Sequence, residues 1–170
     1  MKDKWKDIPW TKKEIYANFI ALLTTIILGT ISLLIMNWGY VLLFWVFWIL
    51  YAVVGRYVTC RHCDFLGKPC PSWFMGIIGG KLYKRSEKKC FPEAGIWKMI
   101  IFDVSFLVGA TLLPIIIYIL SFLTKGFLMT DAIIIFIYGI VGLITLSIHS
   151  KFGCSKCPIE QCPLCGKKSN

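Results

Sequence analysis

Long apolar runs alternate with short polar segments along the chain. A helix needs about 20 consecutive apolar residues to cross the hydrocarbon core of a bilayer. Four runs are near or above this length, at 15–36, 38–55 or slightly beyond, 99–123 and 132–150. The pattern predicts an all-α integral membrane protein with four transmembrane helices.

The polar segments divide the chain into five parts. Two helical hairpins, 15–55 and 99–150, flank a cysteine-rich loop, 56–98. A basic arm, 1–14, comes first, and a tail with four cysteines, 151–170, comes last. Because each span crosses the bilayer once, four spans put the arm, the loop and the tail on the same face of the membrane.

Composition and charge support this arrangement and orient it. The chain of 170 residues is 57% hydrophobic, above the roughly 45–50% of soluble domains. Its net charge is +10: the arm, loop and tail hold five, nine and four Lys or Arg, and the opposite face holds only Lys125. Cytoplasmic segments are enriched in Lys and Arg. We expect a multi-pass cell-membrane protein with both termini in the cytoplasm. Its basic residues would face lipid headgroups, and nucleic acid is not an expected partner.

All eight cysteines lie outside the predicted spans, on the face assigned to the cytoplasm. The loop holds Cys60, Cys63, Cys70 and Cys90, and the tail holds Cys154, Cys157, Cys162 and Cys165. A reducing compartment disfavours disulfides, so metal ligation is the favoured use of these thiols. Three Cys-x-x-Cys pairs occur, a spacing that lets two thiolates bind one ion.

The five residues "CPLCG" at 162–166 resemble the metal knuckles of zinc ribbons and rubredoxin-like sites. The eight thiols predict two four-cysteine metal sites, one in the loop and one in the tail, that hold zinc or an iron–sulfur cluster. In a mixed partition, loop and tail would instead share a site. Acylated thiols are a weaker alternative, since three Cys-x-x-Cys pairs lie in one compartment, and a thiol–disulfide relay is weaker because the opposite face carries no cysteine.

A few polar residues near the spans are further candidates. Asp103 is the only carboxylate inside a predicted span; we expect it to pair with a Lys or Arg of the loop rather than to carry protons. His62 and His149 are possible replacements for a thiolate ligand. An ordinary interfacial role is favoured for His149.

Two stretches of the loop invite specific expectations. Segment 71–80 is apolar but too short to span, so it should lie in the headgroup plane or pack under the loop. The basic strip that follows, 81–89, could contact lipid phosphates or an acidic protein partner. We expect loop and tail to form one metal-stapled cap over the ends of the spans, because metal binding supplies the stability that a small core lacks.

No catalytic motif is recognisable in the sequence, so three functions remain open. The first is a redox subunit that transfers electrons at the cytoplasmic membrane face. The second is a non-enzymatic, zinc-stabilised scaffold or complex subunit. The third is an enzyme that acts on a lipid at the interface, with Asp103, His149 and the basic strip around its pocket.

Overall fold

A computed structural model describes residues 7–86, 100–126 and 129–157. Within these residues four helices are long and apolar enough to cross a membrane, which confirms the predicted number of spanning helices. We call them spans 1 to 4, in the order Lys12–Met36, Trp38–Cys60, Ile101–Thr124 and Met129–Cys154.

The spans combine α-helix with short π-helical segments. The described α-helices are α1 (Lys12–Met36), α2 (Trp38–Leu50), α3 (Arg56–Cys60), α4 (Met75–Leu82), α5 (Ser105–Lys125) and α6 (Met129–Ile148). The π-helical segments are π1 (Tyr51–Gly55), π2 (Ile100–Val104) and π3 (His149–Cys154). All three lie at the same end of the bundle, and π-helical turns often occur near functional sites.

Local capping sets the start of α1 and the turn into α2. Thr11 and Glu14 form a capping box, with the Thr11 N–H donating to Glu14 Oε2 at 2.9 Å. Asn37 alone connects α1 to α2: its N–H donates to the Leu33 carbonyl, and its side chain accepts from the Gly39 N–H at 2.7 Å. Side-chain caps of this kind satisfy backbone donors that a helix terminus leaves unpaired. With one residue between them, α1 and α2 form a tight turn.

The four spans form a bundle in which α1 packs against α2 and α6, and α5 packs against α2 and α6. Small residues bring the helices together: a Cβ on Gly29 would lie 2.7 Å from the Phe44 ring. Hydroxyls link the spans, as when the Tyr118 hydroxyl donates to the Ser32 carbonyl at 2.9 Å. Small residues and interhelical hydrogen bonds are typical of membrane bundles.

Most of the apolar surface of the spans faces outward. Only 11–33% of the most apolar window of each span is buried, and Phe136 on α6 is 69% exposed. A soluble bundle would bury such side chains. This surface is consistent with contact to lipid.

The described part of the loop, 61–86, folds onto one end of the bundle, which we call the loop end. Helix α4 turns its glycines towards this loop: a Cβ on Gly76 would lie 2.3 Å from the Lys68 carbonyl oxygen, and one on Gly80 would lie 2.5 Å from the Gly67 Cα. Segment 71–80 thus packs under the loop, which is one of its two predicted placements.

Candidate functional site

The first Cys-x-x-Cys pair sits where span 2 ends. Helix α3 ends at Cys60, and a turn follows in which the Cys63 N–H donates to the Cys60 carbonyl at 3.1 Å. Cys60 is buried and Cys63 is half-buried. The two thiols are thus held on one tight turn, as the spacing predicts for a pair of metal ligands.

Cys70 lies against the glycine face of α4. Its sulfur accepts a hydrogen bond from the Gly76 N–H at 3.1 Å. A Cβ on Gly76 would approach that sulfur to 3.2 Å and the Lys68 carbonyl oxygen to 2.3 Å. A residue without a side chain is required here, because only then can the backbone N–H reach the sulfur.

Cys157 of the tail joins the loop cysteines. It is buried in a cluster with Trp10, Ile15 and Phe65, and the Cys63 and Cys70 side chains pack against that cluster. Its own Cys-x-x-Cys turn has the same hydrogen bond as the first, with the Cys157 N–H donating to the Cys154 carbonyl at 3.1 Å. Two segments that are far apart in sequence thus bring thiols into one buried region.

Trp10 connects the arm, the loop and the tail at this cluster. Its indole N–H donates to the Gly153 carbonyl at 2.9 Å, and its ring meets Phe65 edge-on at a centroid distance of 4.8 Å. Across the same region, a Cβ on Gly153 would lie 3.3 Å from Pro71. The described parts of the arm, loop and tail therefore pack together; the expected metal staple is not shown.

Burial controls the ionisation of the loop thiols. Burial raises the pKa of Cys63 well above its usual range. A backbone hydrogen bond from Phe65 lowers this pKa, and the neighbouring thiols Cys60, Cys70 and Cys157 raise it further. Burial likewise raises the pKa of Cys70, against the hydrogen bond from Gly76. Buried thiols favour the neutral form, so these groups hold their protons at neutral pH in the absence of a metal.

The predicted metal sites are not shown. In the part of the chain that the structure describes, no three His, Cys, Asp or Glu side chains are arranged to hold a metal ion. The loop set is incomplete because Cys90 lies outside the described residues, and so do Cys162 and Cys165 of the tail set. Among the described thiols, Cys63 and Cys70 of the loop pack against the cluster that holds Cys157 of the tail.

A buried ion pair lies next to the thiols. Arg56 Nη2 is 3.1 Å from Asp103 Oδ1, and both side chains are only 4% exposed. Arg56 also donates to the Tyr51 hydroxyl and lies within electrostatic range of Cys60 and Cys70. The expected pairing of Asp103 with a basic residue at the start of the loop is confirmed.

Trp73 occupies the centre of the loop end. It is 5% exposed and belongs to the core of the bundle rather than to an exposed aromatic belt. Its ring contacts Tyr51 at a centroid distance of 5.5 Å and His149 at 5.4 Å. Trp73 and Phe74 both have positive φ, 56° and 59°, a conformation that is uncommon for bulky residues and is often found at functional sites.

Both histidines lie at the loop end. His149 Nδ1 is 3.2 Å from Asn18 Oδ1, so it joins span 4 to span 1. The backbone N–H of His62 donates to the Thr59 carbonyl at 3.3 Å as part of the turn after α3. Asp103, the third polar candidate, is engaged in the ion pair with Arg56.

The chain matches no family model, no curated protein and no solved structure. Its function therefore has to be argued from its own geometry.

Sequence reasoning identified the cysteines and Asp103 but missed the residues that position them. Gly76 and Trp73 were read only as part of a short apolar stretch. The spacing of Gly76, Gly79 and Gly80 was the available signal, since it puts three glycines on one face of a short helix. The positive φ of Trp73 has no sequence signature.

Proposed function

We propose that this chain is a multi-pass membrane protein whose cysteines bind metal at the loop end, and that an ion draws Cys60, Cys63, Cys70 and Cys157, which are not arranged as ligands without it, into one centre. The observation that carries the proposal is the meeting of thiols from the end of span 2, the loop and the tail in one buried region. The remaining cysteines would form a second set of four, namely Cys90, Cys154, Cys162 and Cys165.

The surroundings of the sulfurs suit bound thiolates. Backbone N–H groups of Phe65 and Gly76 donate to Cys63 and Cys70, and such bonds favour the charged form of sulfur. Four thiolates around a divalent ion leave a net negative charge. Arg56, buried within electrostatic range of Cys60 and Cys70, offsets part of it. Metal binding would displace the protons that burial otherwise retains.

A structural zinc ion fits this position best. Structural zinc is usually bound by four protein ligands, commonly thiolates, in a closed site with no open position. Here the ligands would come from segments that have to be held together over the ends of the spans. Metal binding contributes folding free energy directly in such sites. The proposed role is that of a scaffold whose metal-stapled cap presents a rigid surface, including the basic strip, to lipid or to an acidic protein partner.

One observation favours a second candidate, an iron–sulfur centre that transfers electrons. A series of aromatic rings leads from the loop end into the bundle. Trp73 contacts Tyr51, Tyr51 contacts Trp48 at 5.8 Å, and Trp48 contacts Phe44 at 6.1 Å. Iron–sulfur clusters are also held by four cysteine thiolates. In this alternative the protein is a redox subunit at the membrane face.

The experiment measures zinc and iron per chain, with an absorption spectrum, in protein purified anaerobically in detergent. Two equivalents of zinc without visible absorption support the scaffold; iron with broad visible absorption supports the redox subunit. Protein without either metal would overturn the proposal.

The partition of the thiols is tested with Cys63→Ser, Cys157→Ser and the double variant. If the two residues share a site, each single variant loses one equivalent and the double variant loses no more. If each segment has its own site, the double variant loses both. Ser155→Ala, in the same tail turn, is the matched control and should keep full metal content.

A further inference from the structure

Helix α4 presents an apolar stripe to the outside of the molecule. Its glycines face inward, and a Cβ on Gly79 would lie 3.3 Å from the Cys60 side chain. Ile78 and Leu82 are four residues apart and therefore lie on one face of the helix; they are 42% and 63% exposed. Basic residues follow directly, at positions 81, 84 and 85. An apolar stripe beside basic residues is typical of a helix that lies in a membrane interface.

The end of α4 lies against the outer surface of span 2. The Tyr83 hydroxyl donates to the Val53 carbonyl at 3.0 Å, and the Tyr83 ring meets the Tyr57 ring edge-on at a centroid distance of 5.3 Å. Val53 and Tyr57 are themselves exposed, so they belong to the apolar surface of the spans that is consistent with lipid contact. Because Leu82 directly precedes Tyr83, the stripe of α4 adjoins that surface.

The depth of this contact agrees with an interfacial position. Val53 comes seven residues before Cys60, at which span 2 ends. With a rise of about 1.5 Å per residue, this is about 10 Å along the helix. Interfacial helices bury their apolar face about 5–10 Å into the boundary between headgroups and acyl chains. The end of α4 therefore reaches the level of the bilayer surface.

Two lysines beside the stripe have no partner in the part of the chain that the structure describes. Lys81, in the last turn of α4, and Lys84, two residues after it, are exposed and form no ion pair there. Arg85, by contrast, pairs with Asp64. Lysine side chains can keep their stems along apolar surface while the ammonium group stays in a polar layer. The lysines thus suit an anion, and the adjoining stripe suits hydrocarbon chains.

We propose that α4 forms a binding site for an anionic phospholipid of the membrane leaflet at the loop end. Ile78 and Leu82 contact its acyl chains, and Lys81 and Lys84 bind its phosphate. An acidic protein would satisfy the lysines but would not account for a stripe that continues the exposed apolar surface of span 2. The inference rests on the proposed scaffold role, in which the basic strip faces lipid or an acidic partner, and it favours lipid; it does not require the metal centre.

The test measures phospholipid binding to the full-length protein in detergent by native mass spectrometry. The probes are phosphatidylglycerol and phosphatidylcholine with identical acyl chains, each titrated over a concentration series. We expect tighter binding of the anionic phosphatidylglycerol. Each basic residue near a membrane surface contributes about fivefold to the affinity for anionic lipid. The Lys81→Gln, Lys84→Gln double variant should therefore weaken phosphatidylglycerol binding by roughly 25-fold.

A matched control separates the site from the net charge of the chain. The Lys13→Gln, Lys151→Gln double variant removes the same charge from exposed positions at the same end of the bundle, and it should weaken binding by less than about threefold if the site is specific. The Ile78→Gln, Leu82→Gln double variant tests the apolar stripe. It should weaken phosphatidylglycerol binding by at least about tenfold, because it removes apolar surface that the acyl chains would cover.

Two outcomes would overturn the proposal. Equal losses in the two lysine double variants would show that net charge alone attracts the lipid. A tight complex with a labelled hexaglutamate peptide that requires Lys81 and Lys84 but not Ile78 and Leu82 would assign this surface to an acidic protein.

Metal content is measured in the same samples, so that the two proposals fail separately. Full metal content without a preference for phosphatidylglycerol refutes the lipid site alone. The expected lipid preference in protein without metal supports the lipid site and refutes only the metal centre.

Discussion

Arg56 and Asp103 form an ion pair at 3.1 Å in which both side chains are almost fully buried. The pair joins the end of span 2 to the start of span 3, and Gly55 makes room for it: a Cβ there would lie 3.0 Å from Asp103 Oδ1. Removing one partner of a buried pair leaves the other charge desolvated and uncompensated.

We therefore expect Asp103→Asn to lower the free energy of unfolding by about 3–5 kcal/mol. Thermal unfolding in detergent would measure this. Asp64→Asn is the matched control, because Asp64 pairs with Arg85 at an exposed site, where an ion pair contributes at most about 1 kcal/mol. An Arg56→Met, Asp103→Leu double variant should recover part of the lost stability. Equal losses of stability in Asp103→Asn and Asp64→Asn would refute the role assigned to the buried pair.

The contact between Gly76 and Cys70 predicts that position 76 tolerates no side chain. Gly76→Ala would force the loop away from α4, because its Cβ cannot remain 2.3 Å from the Lys68 carbonyl oxygen. We expect faster proteolysis of the loop and, if the proposed centre exists, a lower metal content. Gly139→Ala, where the added methyl group meets nothing, should change neither. Normal loop protection in Gly76→Ala would show that α4 does not hold the loop as described.

Asn37 should contribute to the stability of the protein although its side chain is exposed. It caps α2 through its side chain and is the sole residue between α1 and α2. Asn37→Ala should destabilise the protein by about 0.5–2 kcal/mol, the usual effect of losing an N-cap. Asn37→Ser retains a capping oxygen and should lose much less. Similar losses for the two variants in a thermal unfolding assay would argue against capping.

The orientation in the membrane can be tested with thiol labelling of intact cells. The loop and the beginning of the tail lie at one end of the bundle, and the Lys and Arg excess predicts that this end faces the cytoplasm. An impermeant maleimide should leave the native cysteines unmodified but should label Thr124→Cys at the opposite end of span 3. Labelling of the native cysteines, with none at position 124, would invert the topology.

The sequence by itself determined four helices that are long and apolar enough to cross a membrane. An apolar run of about 20 residues that enters lipid has few alternatives to a helix, because a lipid-exposed backbone must satisfy its hydrogen bonds within the segment. The structure extends the predicted spans by a few residues at several ends, as at Lys12, where the Thr11–Glu14 capping box starts α1 before the first apolar residue. The pairing of Asp103 was also foreseeable, since a carboxylate at that depth needs a cation.

Only the tertiary structure decided which residues meet. The sequence divides the cysteines evenly between loop and tail, yet the fold brings Cys157 to Cys63 and Cys70, because Trp10 and Phe65 draw the ends of spans 1 and 4 and the loop together. The structure also places Trp73, which the sequence shows only as part of the apolar segment 71–80, in the bundle core. Such contacts depend on how side chains from distant segments fill a shared space, and neither hydrophobic periodicity nor cysteine spacing carries that information.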